Sequence, residues 1–352
     1  MVKKDSESPI HSVNWEIRHE NFSSDEWDTL LSKAKDAHPL QACFWGEFKR
    51  SHGWLPLRYT AGNKNNAVIG MAQVLSKTFF GHHILWVPGN VATDFQNIVN
   101  TDGRQKVLDA LIETLVTAWN PCYIRFNFAI PHHHDFSFVL GRTCCRPIVR
   151  LTGGYSTIID LDKTQAEFLQ SFSSKHRYYV KKALAQDIFW RSGNTPELSS
   201  HMAALLGEIV KNKKLNSIYT SQEEIEKLCQ LAGGNVVILV GYLDNQPVTA
   251  CLSLIFGGRV FYQIAATGEN GRKINAAYAM ILQLLTLLKD RGAKCFDFGG
   301  INPQDKNASG VSHFKRGFGG GVIEYLGEWE RANPRFIGLL VNAGIYIRGG
   351  RM

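Results

Sequence analysis

The order of apolar runs and chain breakers in this 352-residue sequence occurs twice, and that repetition constrains the fold more than any other feature. Leu55–Thr60, Ala67–Leu75 and His82–Val87 read as three strands, separated by the GNKNN stretch and by Gly81. A helix over Gly103–Ala118 follows, with Val107, Leu108, Leu111, Ile112 and Leu115 apolar, and then a strand at Tyr123–Phe128. The same order returns as strands Val236–Leu243, Pro247–Phe256 and Arg259–Thr267, helix Asn275–Arg291 and strand Lys294–Phe298. Val248 follows Val68 by 180 residues, Val260 follows Ile84 by 176, and Cys295 follows Tyr123 by 172. Such regular spacing points to two copies of a βββαβ unit. A helix crossover before each last strand makes that strand parallel to a neighbour, so the sheets are mixed. In the second crossover helix only Gln283, Thr286 and Asp290 form a polar stripe, which predicts a buried helix.

At ~150 residues per domain the length suits two domains. A meander feeding a helix and a parallel strand resembles the outline of the GNAT acyltransferases. The expected class is therefore α/β (α+β), with two tandem GNAT-like mixed-sheet domains. Between the copies, Thr164–Phe172, Ser174–Gln186, Glu197–Lys211 and Glu223–Ala232 read as helices. With 44% hydrophobic and 20% charged residues the chain is not disordered, collagenous or a coiled coil.

Lys and Arg number 39 against 31 Asp and Glu, and the resulting +8 favours phosphate-bearing ligands such as nucleotides, RNA or anionic headgroups. Seven scattered cysteines without a C-x-x-C spacing suggest a reducing compartment. The N-terminal stretch lacks the apolar core of a signal peptide, and no run reaches the ~18 apolar residues of a membrane span. A soluble, cytoplasmic protein, monomeric, is expected. Phe336–Ile347 is the most apolar segment and reads as a docked terminal helix, with interfacial membrane contact as the alternative.

Four patches could carry chemistry. In the first, Phe44, Trp45 and Phe48 share a helix face and Lys49 lies one turn beyond Trp45. Asp297-Phe-Gly-Gly300 stands at the carboxyl end of a parallel strand, where α/β folds gather ligands and glycines let backbone approach them. Phe314-Lys315-Arg316 lies in a segment bounded by glycines from Gly310 to Gly321, either a flexible turn or a site. The charges of Gly327-Glu-Trp-Glu330 read as solvated. Lys175, Arg177, Lys181 and Lys182 interleave with Tyr178 and Tyr179, either as a solvated face or as a nucleic-acid-contacting one. His132-His133-His134-Asp135 lacks a second cluster and is not read as a metal site. No G-x-S-x-G elbow or Walker A motif occurs. The pyrophosphate turn of acetyl-CoA-using GNAT enzymes is degenerate here, with Arg272-x-x-Asn275-x-Ala277 its nearest counterpart.

Taken together the chain resembles the FemABX family, aminoacyltransferases that build peptidoglycan interpeptide bridges, in its shorter form without a coiled-coil arm. The resemblance rests on Gln41…Trp45…Lys49…Gly53-Trp54, on Arg177…Lys181-Lys182-Ala183, on Cys295-Phe-Asp297-Phe-Gly299-Gly300-Ile301, and on Phe314-Lys315-x-x-Phe318-Gly319 before Tyr325-x-Gly327-Glu328. It implies transfer of an amino acid from aminoacyl-tRNA to a side-chain amine of a muropeptide precursor, lipid II or UDP-MurNAc-pentapeptide, with no cofactor or metal. It also implies peripheral association with the inner face of the membrane. Residues 1–152 with 318–352 would form the precursor-binding domain, and 153–317 the donor-side domain. Carried over motif by motif, Lys315 beside Phe314 would sit at the reaction centre. Lys49, with Trp45, would contact the precursor's pyrophosphate, and Asn127, Lys211, Tyr262, Gly299 and Gly300 would complete the substrate site. Arg177, Lys181, Lys182 and Arg316 would contact tRNA. Two departures stand out. Glu208-Ile-Val-Lys-Asn212 replaces a phosphate-binding arginine motif, leaving Lys211, Lys213 or Lys214 as substitutes, and Asn127-Phe128 replaces an Asp-Pro. An N-acyltransferase using acyl-CoA or another acyl donor is the alternative, and a nucleic-acid-binding or scaffold protein with a retired active site is the third reading.

Overall fold

A computed structural model describes residues 16–62, 67–95, 101–132, 134–213, 221–301 and 309–349. Its strands are β1 (Glu16–His19), β2 (Leu55–Gly62), β3 (Val68–Phe79), β4 (His82–Val87), β5 (Tyr123–Pro131), β6 (Tyr155–Asp160), β7 (Phe189–Gly193), β8 (Val236–Leu243), β9 (Gln246–Phe256), β10 (Arg259–Thr267), β11 (Cys295–Asp297) and β12 (Gly321–Ala332). They form one 12-stranded sheet in the order β1-β2-β3-β4-β5-β12-β6-β11-β10-β9-β8-β7. β4 with β5 and β10 with β11 are the parallel pairs, each reached through a crossover helix, Thr101–Trp119 and Ala276–Asp290 respectively. The repeat expected from the sequence is thus present, and the sheet is mixed as its crossovers require.

β12 joins the two halves. Gly321–Glu324 pairs with β6, while Tyr325–Ala332 pairs with β5 after a register shift between Tyr325 and Gly327. Hydrophobic packing also joins them. One core combines Trp27, Phe44, Trp45 and Phe48 from the first half with Leu198, Ile225, Leu252 and Leu254 from the second. A second core packs the crossover helix Ala276–Asp290 over β8–β11, and a third packs Thr101–Trp119 over β2–β5. Met280, Ile281, Leu284 and Leu288 are buried, whereas Asp290 in the polar stripe is exposed.

Register sorts the side chains of the first half by face. Trp86, Arg125 and Glu330 share one row, and Lys77, Ile84, Tyr123 and Ala332 share the next. On the other face Phe126 and Trp329 pack toward Thr101–Trp119. Glu328 and Glu330 correct the expectation of solvated charges, since both are buried. Arg125 lies between them, its Nε donating to Glu328 at 2.8 Å and its guanidinium to the Tyr123 hydroxyl at 3.2 Å. The other Glu328 oxygen accepts from the backbone of Leu151 and Thr152 at 2.8 and 2.6 Å. Glu330 accepts from Tyr123 at 2.7 Å and from Asn342 at 2.8 Å. Asn342 belongs to the terminal helix Phe336–Ile347, which therefore docks on this face.

All seven cysteines are free thiols. Among the described residues no helix is long and apolar enough to cross a membrane.

Candidate active site

The segment around Lys315 is a helix, Ser309–Arg316, rather than a glycine-rich linker. Its last turn carries Phe314, Lys315 and Arg316 to the end of β11. There the Lys315 Nζ donates to the Gly300 carbonyl at 3.0 Å and lies 3.5 Å from that of Gly299. Burial drives the Lys315 pKa down to about 8, opposed by the nearby Asp297 carboxylate. The ammonium is held by neutral carbonyls, and among the described residues no carboxylate is in direct contact with it.

Asp297 fixes the turn that supplies those carbonyls. It is fully buried and accepts from the Gly299 N–H at 2.9 Å, Ser156 Oγ at 2.5 Å, the Tyr325 hydroxyl at 2.6 Å and Arg259 Nη2 at 2.9 Å. Burial alone would raise its pKa, but Arg259 and these hydrogen bonds hold it below the usual carboxylate range. Gly299 has φ +67°, and a Cβ there would stand 3.3 Å from the Phe261 ring. Arg259 also reaches Ala129 O on β5 at 3.3 Å, so the network spans both halves of the sheet.

His176 clamps the other side of the Lys315 turn. Its buried ring donates from Nε2 to the Phe314 carbonyl at 2.9 Å and accepts from Ser173 Oγ at Nδ1, also at 2.9 Å. This assignment makes the ring neutral, in keeping with burial lowering its pKa. A Cβ on Gly317 would stand 1.9 Å from the imidazole, so glycine is required there by close approach. Phe314 and Phe318 stack edge-on at 4.9 Å and continue through Tyr278 into the second core.

Lys49 lies in a second cluster, on the helix Cys43–Arg50. Its Nζ is 5.0 Å from the Trp45 ring centroid and 5.5 Å from that of Trp86, whose row includes Arg125. Trp54 packs on Trp86 at 5.8 Å, and Lys77 covers Trp54 at 5.6 Å. Asn127, two residues beyond Arg125, is opposite Glu328 and half-buried on the same face.

The remaining expected residues fall into different settings. Gly299 and Gly300 join Lys315 through their carbonyls. Tyr262 lies beside the Gly299 turn. Its ring is buried between Phe296 and Phe298, and only its backbone flanks the Gly299 turn. Arg177 is taken up in closing the preceding helix, donating to Phe172 O at 2.5 Å and Gln170 O at 3.1 Å. Lys181, Lys182 and Arg316 are exposed. Lys211 lies near the end of helix Pro196–Lys213, but its side chain is outside the described residues, as are Lys213, Lys214 and His133. His132 bonds Ser137 at 2.9 Å, and no group of three metal-ligating side chains occurs among the described residues.

A carboxylate stands just ahead of the degenerate pyrophosphate turn. Glu208 accepts from the Glu269 N–H at 2.7 Å, at the start of helix Glu269–Lys273. Its carboxylate also lies 3.8 Å from Arg272, the first residue of that turn.

A doubled meander–helix–strand unit closed by a shared strand defines a tandem GNAT-like fold. The crystal structure of FemX covers 92% of this chain and all of its own, with TM-score 0.78 at 16% identity. A tandem GNAT protein from the clavulanic acid biosynthesis pathway covers 91% of this chain and 98% of its own, with TM-score 0.53 at 10% identity. The FemAB family profile matches residues 210–335. A lipid II:glycine glycyltransferase of Staphylococcus epidermidis is 19% identical over 391 aligned positions, spanning 88% of this chain and 91% of that protein. The chain is thus similar to the FemAB family over residues 210–335 and shares the fold of FemX.

Proposed function

We propose that this protein transfers an amino acid from aminoacyl-tRNA to the side-chain amine of a peptidoglycan precursor, lipid II or UDP-MurNAc-pentapeptide, during interpeptide bridge formation. The observation that carries this reading is the Lys315 ammonium, half-buried and held on the Gly299 and Gly300 carbonyls. The acceptor nitrogen attacks the ester carbonyl carbon, and the C–N bond forms as negative charge gathers on the carbonyl oxygen. An ammonium fixed beside that oxygen lowers the barrier most where the charge is largest. Collapse breaks the ester C–O bond. The ribose oxygen gains a proton as the nitrogen loses one, so the step balances.

Lys49 and its tryptophans are assigned to the diphosphate of the precursor, with Asn127 farther along the same face. Residues 1–152 with 318–352 are assigned to the acceptor and 153–317 to the donor, with Lys181, Lys182 and Arg316 as exposed cations for the tRNA. The degenerate turn, with Asn275 in place of its first glycine, argues against acyl-CoA.

The test is transfer of radiolabel from a mixed pool of charged tRNAs to lipid-linked and UDP-linked muropeptide, with ribonuclease and acetyl-CoA controls. Ribonuclease-sensitive labelling of precursor is expected. Labelling only from acyl-CoA would overturn the choice of donor.

A further inference from the structure

The terminal helix Phe336–Ile347 is apolar on both sides, yet only one side is covered. Gly338, Asn342 and Ile345 face the sheet, where a Cβ on Gly338 would stand 3.3 Å from that of Ala332 and Asn342 grips Glu330. Asn342 Oδ1 also accepts from the Val149 N–H at 2.8 Å, which places Ile148 and Arg150 beside the helix. The opposite side carries Phe336, Leu339, Leu340, Ala343, Tyr346 and Ile347, all exposed, Tyr346 at 76% and Ile347 at 82%. Ile148 is 69% exposed next to it. Burial of the inner face alone therefore does not explain why the helix is apolar all round.

Arginine predominates among the charges around this surface, with exposed Glu324 near Arg146 and Arg150 the counter-charge. After the buried Glu330 the sequence contains no further Asp or Glu, only Arg331, Arg335, Arg348 and Arg351. Between Asp135 and Asp160 it contains Arg142, Arg146 and Arg150 and no acid. Arg150, Arg335 and Arg348 are exposed beside or at the two ends of the apolar face. A second apolar point lies at the same end of the sheet. The row Lys77–Ile84–Tyr123–Ala332 places the β3–β4 turn, with Phe79 and Phe80 at 55% and 88% exposure, at the same end of the sheet as the start of the helix, with β4 and β5 between them and β12.

We infer that the outer face of helix Phe336–Ile347 docks this protein on an anionic lipid bilayer, its apolar side chains entering the interface and its arginines meeting headgroup phosphates. The assignment goes beyond the transfer reaction and does not depend on it. A lipid surface is favoured over a protein partner because apolar groups framed mainly by cations match a negatively charged interface of no fixed shape.

The test is flotation with vesicles of three parts phosphatidylcholine to one part phosphatidylglycerol, and with phosphatidylcholine alone, in the absence of substrate. The wild-type protein should float with the anionic vesicles and lose binding as salt rises. L339E/L340E should weaken that binding by at least about tenfold with an unchanged melting temperature, because both side chains point outward. R335E/R348E should remove the preference for anionic vesicles. No flotation of the wild type, or equal flotation of L339E/L340E, would overturn the assignment. A wild-type dimer in light scattering that L339E/L340E converts to a monomer would give the face to a second copy and likewise overturn it.

Discussion

Replacing Lys315 with Met keeps most of the side-chain volume and removes only the ammonium, so it isolates the charge. If that charge stabilises the ester oxyanion, single-turnover transfer should fall roughly 10²–10³-fold, the loss typical of one oxyanion-stabilising donor. Wild-type pH dependence supplies a second signature. With burial holding the Lys315 pKa at about 8, about three-quarters of the groups are protonated at pH 7.5 and about a tenth at pH 9, so the rate should drop roughly eightfold between them. Stability should move the opposite way. The folded-state pKa lies below the unfolded one, so the unfolded chain binds more protons between about pH 8 and 10.5, and folding is favoured progressively as pH rises through that window. K315M should flatten both profiles, and K315R, which stays charged, should lack the alkaline fall in rate. The assay is transfer of radiolabelled amino acid to precursor with enzyme in excess, corrected for spontaneous ester hydrolysis at each pH. A K315M rate within threefold of wild type, or a wild-type rate level through pH 9.5, would refute the oxyanion role.

Further tests probe the supports of the site. His176→Leu removes the hydrogen bond to Phe314 O and should lower kcat about tenfold with the precursor KM unchanged, leaving the alkaline limb at about pH 8. An altered KM with normal kcat would reduce His176 to a packing residue. Arg125→Met leaves Glu328 and Glu330 buried without their cation and should cost about 3–5 kcal/mol in denaturant unfolding. Amide exchange over Phe336–Ile347 should quicken in the same variant, because Glu330 anchors Asn342. Lys49→Ala should raise the KM for the diphosphate-bearing precursor about tenfold with kcat nearly constant, and an unchanged KM would return Lys49 to a surface lysine packed on Trp45.

Legibility in the sequence followed locality. Val236–Leu243 and Arg259–Thr267 were readable to the residue because continuous apolar runs ended at a glycine or a turn tetrad. Lys315, Gly299 and Gly300 were singled out by motif, and they meet. What escaped depended on distant partners. Glu328 and Glu330 read as solvated because the arginine that makes their burial tolerable lies some 200 positions earlier. His176 looked like one residue of a basic, aromatic helix, and its bond to Phe314 crosses 138 positions. Ser309–Arg316 was obscured by its flanking glycines, although one of them, Gly317, is there to admit the His176 ring. The short edge strands β1 and β7 carried too few residues to show a period.

The position of β12 has a consequence for biosynthesis. β5 ends at Pro131, but the strand that covers its open edge begins only at Gly321, 190 residues later. At ~5–20 residues per second, translation leaves that edge waiting for ~10–40 s, and the edge of β6 waits for nearly as long. Arg125 spends this interval without Glu328, and the hydrogen-bonding groups of β5 remain open to any passing strand. The nascent chain exposes both edges until β12 emerges, and slow codons late in the message would lengthen the most aggregation-prone stage of its life.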